Sequence, residues 1–311
     1  MSDLPRALVA AALINAGFSV VAYGQEAAPE TALRQRDDRR LWQSTISFSA
    51  LTNRDIGELR FVRVSEPPPA VTVATWQSLF YTDNVYQTPH DTKESGAWNG
   101  DLSVKLIPYS TGRWTPSIAF DYFMFRYNRE SPEDFDGQTL TLASRLAVSD
   151  DDRLEWDMSY SLWRFVDGQE RSDEFFKQGL LETHLAWADS LLSRSDMYYE
   201  LAYGISFRHA SPSRFTRLEN ELVVRIGYLP WRRVQLSGFA RASIRQYLSS
   251  DDTRSQRNDA HVESGIMALY MIAGNLSVSG GATWIWNDSN RSEEDYNEFL
   301  PQVSLSAQIA F

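Results

Sequence analysis

No cysteine occurs among the 311 residues. That fits an oxidising compartment, where stray thiols are a liability, without selecting one. Histidine is nearly as scarce: His90, His184, His209 and His261 are the four present, and their scatter matches no metal-ligand spacing, so no metal or other cofactor is expected. Positive charge is in deficit, with 30 Lys and Arg against 41 Asp and Glu for a formal net charge of -11. Nucleic acid is thereby excluded as a partner, because phosphate binding needs clustered Lys and Arg. Beyond the N-terminus no apolar run reaches the roughly 18 residues a membrane-spanning helix requires, which rules out a helical membrane protein.

What the chain has in quantity is aromatic residues: 10 Trp, 14 Tyr and 16 Phe. It also has an apolar stretch at its start, Ala7 to Gly24, preceded by Arg6 and closed by Ala22-Tyr23-Gly24, with small residues at the two positions a signal peptidase reads. Residues 1–24 therefore read as a secretory signal. Gln25 to Arg40 turns to Glu, Ala, Arg and Asp and reads as a flexible mature N-terminus.

From Val71 onward one unit repeats, an extended segment in which apolar and polar residues alternate. Ile118, Phe120, Tyr122 and Met124 alternate with Ser117, Ala119 and Asp121. Leu154, Trp156, Met158 and Tyr160 alternate with Glu155, Asp157 and Ser159. The last such segment carries Val303, Leu305, Ala307, Ile309 and the terminal Phe311 on one side, and Gln302, Ser304, Ser306 and Gln308 on the other. A helix cannot keep a period of two, so these are strands. About twelve are predicted, most of them longer than the ~5–6 residues usual in globular proteins and long enough to cross a bilayer at a tilt.

The connections divide into two kinds. Those near 109–112, 149–152, 229–233 and 272–275 are tight, with 188–195 somewhat longer; those near 85–96, 128–136, 167–174, 208–215, 248–259 and 287–298 are mostly longer and more polar. Short turns on one side and long loops on the other are the pattern of an antiparallel transmembrane β-barrel, and an even strand count leaves both chain ends on the periplasmic side.

With its secretory start, alternating strands and terminal Phe311, the segment 71–311 resembles the bacterial outer-membrane β-barrel and porin class. The resemblance implies residence in the outer membrane of a Gram-negative bacterium, contact with outer-membrane lipid and lipopolysaccharide, and a final aromatic residue, Phe311, read by the barrel assembly machinery. It also implies a passive or weakly selective channel for small polar or ionic solutes; a non-conducting envelope scaffold, an adhesin or an exit component for polysaccharide secretion stand as alternatives.

Two sets of residues follow from the alternation. Trp114, Trp156, Trp187, Tyr228 and Trp231 fall near the turns, and Trp98, Phe175, Phe207, Trp286 and Phe299 near the loops, as two aromatic girdles would. Asp101, Lys105, Asp121, Arg145, Glu155, Asp157, Glu182, His184, Glu200, Arg217, Glu219, Glu221, Arg225, Arg241, Arg245 and Glu263 fall on the inward register, lining either a charged pore or a salt-bridged interior. Trp163 and Phe165 fall inward too, where they plug the lumen or mark a bulge.

The sequence offers no catalytic set beyond one faint candidate. His209 and Ser211 stand two apart on the outward side of a strand end, and this stretch resembles the His-x-Ser step of outer-membrane phospholipase A and the lipid A deacylases. Pro212 replaces the Asn that follows the Ser in those motifs, and no third group is identifiable. Glu293, Glu294 and Asp295 read as solvated loop acids, since the run lacks the Gly an EF-hand loop needs. Residues 25–70 read as a periplasmic hairpin or plug, or else two alternating runs within 41–64 bring the barrel to fourteen strands. Pro67-Pro68-Pro69, which supplies no ladder donors, favours a break before the barrel and hence twelve.

Overall fold

The computed structural model describes residues 69–311, apart from 86, 88, 90, 91, 112, 130–133, 149–153, 168–173, 192–195 and 249–256. The expected signal at 1–24 lies outside the described residues, as does all of the expected periplasmic segment 25–70 except residues 69 and 70. Twelve strands run in chain order: β1 (Val71–Thr82), β2 (Ser95–Leu106), β3 (Trp114–Tyr127), β4 (Phe135–Ala147), β5 (Leu154–Asp167) and β6 (Glu174–Ser190). They continue with β7 (Met197–Ser211), β8 (Arg217–Trp231), β9 (Val234–Tyr247), β10 (Asn258–Ala273), β11 (Leu276–Ser289) and β12 (Tyr296–Ala310).

Each strand pairs antiparallel with its neighbour in sequence, and β1 pairs with β12, so the sheet closes on itself. Closure leaves no free edge, and the fourteen-strand alternative has no place to add its pair. The seam extends to the last residue: Phe311 N–H donates to the Val71 carbonyl at 2.9 Å, and Val71 N–H donates to the Phe311 carbonyl at 3.2 Å.

The alternation translates directly into two faces. Outward residues are apolar and open, such as Leu102 at 50 % and Ile266 at 71 % exposure, whereas the inward residues next to them, Asp101, Ser103, Gly265 and Met267, are buried or half-buried. A water-soluble sandwich reverses that arrangement. The strands run further toward the loops than the apolar alternation alone indicates. β7 continues through Ser211, where a loop over 208–215 was expected, because ladder hydrogen bonds persist after the outward side chains turn polar.

Several inward aromatic rings lie across a glycine on the paired strand. Tyr198 faces Gly227, Phe123 faces Gly137 and Phe239 faces Gly265. A Cβ on any of these glycines would sit under 3.0 Å from the ring. Small-next-to-large pairing of this kind lets bulky side chains fit inside a closed barrel.

Candidate functional site

The start of β1, the end of β12 and the tight turns mark one end of the barrel, the terminus end; the other is the loop end. By ladder register the charged residues from Asp101 on β2 to Glu263 on β10 share the face of the sheet opposite the exposed apolar residues. They are not one continuous lining. Toward the terminus end Lys105 and Arg145 are exposed, Asp121 and Asp157 are half-buried, and the positions between them are small: Ser103, Ser117, Ala119 and Ala143. Arg145 bonds Asp157 at 3.1 Å with its side chain still 51 % exposed, the condition of a solvated pair.

At the loop end the wall closes in two sectors. On β3 to β6, Phe123, Phe125, Phe135, Trp163, Phe165 and Phe176 form a dry aromatic cluster, joined by Phe80 from β1 and by Phe215. Phe125 stacks on Phe135 at 4.7 Å between centroids, and Phe135 stacks on Phe165 at 5.4 Å. Phe135 and Phe165 have no exposed surface. Trp163 and Phe165, read in the sequence as a lumen plug or a bulge, belong to an apolar seal, and the inward face of this sector is aromatic at the loop end instead of charged. Packing drives the difference: each ring here buries against rings of the neighbouring strands instead of reaching water.

On β7 to β10 the same level holds buried charge. Glu219 accepts from Arg245 Nε at 3.0 Å and from Ser243 Oγ at 2.7 Å, lies 3.1 Å from Arg217 and 3.5 Å from Arg241, and is almost wholly buried. Arg241 also reaches Glu221 at 2.7 Å and Glu263 at 3.3 Å. Glu221 in turn meets His184 at 2.8 Å, and Glu263 lies 3.2 Å from His261. Arg225 pairs with Glu200 below this hub. Above it Arg257, held by Asp259 and by Glu294 at 2.6 Å, lies 4.2 Å over the Tyr247 ring.

His261, Asp259, Arg257 and Arg208 belong to this buried sector and were not among the residues singled out in the sequence. For His261 the parity of β10 was a sufficient signal, since it sits two residues from Glu263. Glu294 is drawn into the hub, and Asp295 accepts from Ser289 N–H at 2.7 Å, so two of the three loop acids are engaged inside the protein.

The girdle residues Trp114, Trp156, Trp187, Tyr228 and Trp231 face outward at the terminus end; Trp98, Phe207, Trp286 and Phe299 face outward at the loop end. Phe175 sits instead at a bulge of β6, packed against the apolar seal. His209 and Ser211 point outward from β7 beside Gly179 and Lys177 of β6, and among the described residues no hydrogen bond joins the two and no carboxylate backs the imidazole.

Asp134, at the rim of the seal, accepts from Tyr127 N–H at 2.7 Å. Burial pushes its carboxyl up to about 6 from an ordinary 3.8, against the opposing pull of that N–H and of Arg126. A carboxyl that holds its proton more tightly when folded gives the folded state more protons between those two values. Stability should thus fall as pH rises from about 4 to about 6 and level off above. Urea midpoints across that window are expected to lose this slope in Asp134→Asn; a slope retained by the variant places its origin elsewhere.

No protein family matches the sequence, and no curated protein matches it. Among solved structures the chain is similar to an outer-membrane channel of Pseudomonas putida F1, with TM-score 0.54 at 10 % identity over 82 % of this chain and 99 % of that one. It is also similar to the translocator domain of autotransporter NalP from Neisseria meningitidis, with TM-score 0.45, 10 % identity, and 90 % and 98 % of the two chains covered. Against the KdgM porin the TM-score is 0.42 at 7 % identity, over 75 % of this chain and 98 % of that one. The fold is that of the outer-membrane β-barrels; identity this low carries no further property across.

Proposed function

We propose that this protein resides in the outer membrane of a Gram-negative bacterium and serves as a channel for small polar or ionic solutes, held shut at its loop end in the conformation described. The membrane reading is supported by the apolar outward face, which runs round the whole circumference between two aromatic belts. Bilayer lipid covers such a surface without cost, whereas water does not. With the start of β1 and the end of β12 on the periplasmic side, the loop end faces outside, and Phe311, bonded to Val71 at the seam, is the residue the assembly machinery would read.

The channel reading rests on one observation, the change in the inward face along the barrel axis. Water-accessible charge enters from the terminus end at Lys105, Arg145 and Asp157 and stops at the aromatic seal. A barrel needed only as a scaffold gains nothing from a solvated half-lumen, since apolar packing from end to end would stabilise it more. The scaffold reading keeps one observation in its favour, the completeness of the seal and the charge hub together.

Planar-bilayer recording separates the two. Wild-type protein is expected to show brief or small openings, and the variant Phe135→Ser/Phe165→Ser a stable open level several-fold larger, because two rings with no exposed surface are replaced by short hydroxyls that admit water. Silence from both proteins, each shown to be folded, would leave the scaffold reading standing and remove the channel.

A further inference from the structure

The outward face of β3 to β7 carries a feature that neither the lumen nor the girdles explain. At the loop end one register row crosses five strands: Tyr122, Gln138, Arg164, Lys177 and Ser211. Every member is polar, and all but the half-buried Tyr122 are exposed on the side that meets lipid. The two rows beneath it are almost wholly apolar. The nearer runs Phe120, Leu140, Leu162, Gly179, His209; the next runs Ile118, Leu142, Tyr160, Leu181, Phe207. At ~4.8 Å between strands, five strands span roughly 19 Å.

The charge is directional. Arg164 Nε and Lys177 Nζ each donate to Glu174 at 2.8 Å, with side chains 50 % and 62 % exposed. Two cations thus share one carboxylate, and His209 stands one row below. The remaining N–H groups of Arg164 and Lys177 have no partner among the described residues. Around the rest of the circumference the corresponding outward positions are neutral or acidic: Gln246, Asn258, Asp288 and Asn297. Arg126, further along β3 than Tyr122, is occupied by the carbonyls of Phe125 and Phe135 and by Asp136.

The geometry points to a binding site for a phosphorylated, multi-acyl glycolipid of the outer leaflet on the outside of β4 to β7. Its phosphate would lie on Arg164 and Lys177, its sugar hydroxyls against Gln138 and Ser211, and its acyl chains along Leu140, Leu162, Leu181 and Phe207. Arg suits such a group because its planar fork takes two phosphate oxygens at once. The width of the apolar apron and the sugar-compatible amide and hydroxyl at its top favour a glycolipid of several chains over a two-chain glycerophospholipid with the same phosphate chemistry. The site rests on the outer-membrane reading above, because it needs the loop end in the outer leaflet.

The test is lipid retention by the full chain folded in detergent micelles, read by native mass spectrometry. The probes are bisphosphorylated lipid A, its dephosphorylated form and phosphatidylglycerol. Wild-type protein should retain bisphosphorylated lipid A at least ~tenfold more strongly than the dephosphorylated form, the scale of one charge-assisted phosphate contact, and more strongly than phosphatidylglycerol, which has the phosphate but fewer acyl chains and no sugar. Arg164→Gln/Lys177→Gln should fall to the level of the dephosphorylated probe, and Gln138→Lys, which adds a cation to the row, should rise above wild type. Equal retention by wild type and double variant, both folded by gel-shift, overturns the site; phosphatidylglycerol held as well as lipid A overturns the glycolipid assignment. Bilayers that stay silent while lipid is retained would sink the channel and leave this site, and conduction without lipid preference would do the reverse.

Discussion

Glu219→Gln is expected to lower the stability of the folded barrel by about 3–5 kcal/mol, the cost of leaving buried charge without its partner. The carboxylate is shared by Arg245 at 3.0 Å, Arg217 at 3.1 Å and Arg241 at 3.5 Å, and the four side chains are between 3 % and 8 % exposed. An amide of the same shape keeps the Ser243 hydrogen bond but leaves the Glu221 and Glu263 carboxylates to balance three guanidinium groups, with Tyr247 Oη, 3.1 Å from Arg217, as a neutral acceptor. Arg145→Gln is the comparison, because its pair with Asp157 is solvated and should contribute under ~1 kcal/mol. Adding Arg245→Met to Glu219→Gln should recover part of the loss, since it removes the guanidinium closest to the altered carboxylate, and only part, since Arg217 and Arg241 still face an amide there. Urea midpoints of the folded band in lipid vesicles give all three values. If Glu219→Gln proves no worse than Arg145→Gln, water reaches the hub and the loop half of the lumen is open.

The barrel was legible in the sequence because lipid and lumen impose opposite demands on successive residues, so a period of two is written along every strand. That parity also placed Glu219, Glu221, Arg241 and Arg245 on one wall, with opposite signs on adjacent strands that meet as ion pairs. It could not say which inward residues meet water. Phe123, Phe135 and Phe165 share the inward parity with Asp121, Arg145 and Asp157 of the same strands, and only cross-strand register, which brings rings from β3, β4, β5 and β6 to one level, turns them into a seal. Strand ends were the other blind spot. Once the outward residues become polar, as at Arg164, Lys177 and Ser211, alternation of hydropathy vanishes while the hydrogen-bond ladder continues. Arg164, Lys177 and Ser211 therefore lay in what read as loop or loop margin.

Neighbouring glycines on β11 make the second large effect a matter of a single methyl group. A Cβ on Gly281 would lie 2.3 Å from the carbonyl oxygen of Ile266 and 3.0 Å from the Cα of Met267, both backbone atoms of the paired strand β10. A flexible side chain can swing away from such a contact; a ladder carbonyl cannot move without breaking the register on either side. On Gly280 the nearest heavy atom would be 3.8 Å away, ordinary van der Waals contact. Gly281→Ala is accordingly expected to cost about 3 kcal/mol or more, at the upper end of what overpacking does, or to prevent the folded band from forming, while Gly280→Ala stays within about 0.5 kcal/mol of wild type. The two substitutions add the same group to adjacent residues of one strand, so chain entropy cancels between them; Gly280 faces lipid and Gly281 the lumen, but the transfer of one methyl, about 0.8 kcal/mol, is well below the difference expected from lack of space. Equal folded fractions for the two variants across a urea series would mean that β10 and β11 are further apart at this point than the 2.3 Å approach requires.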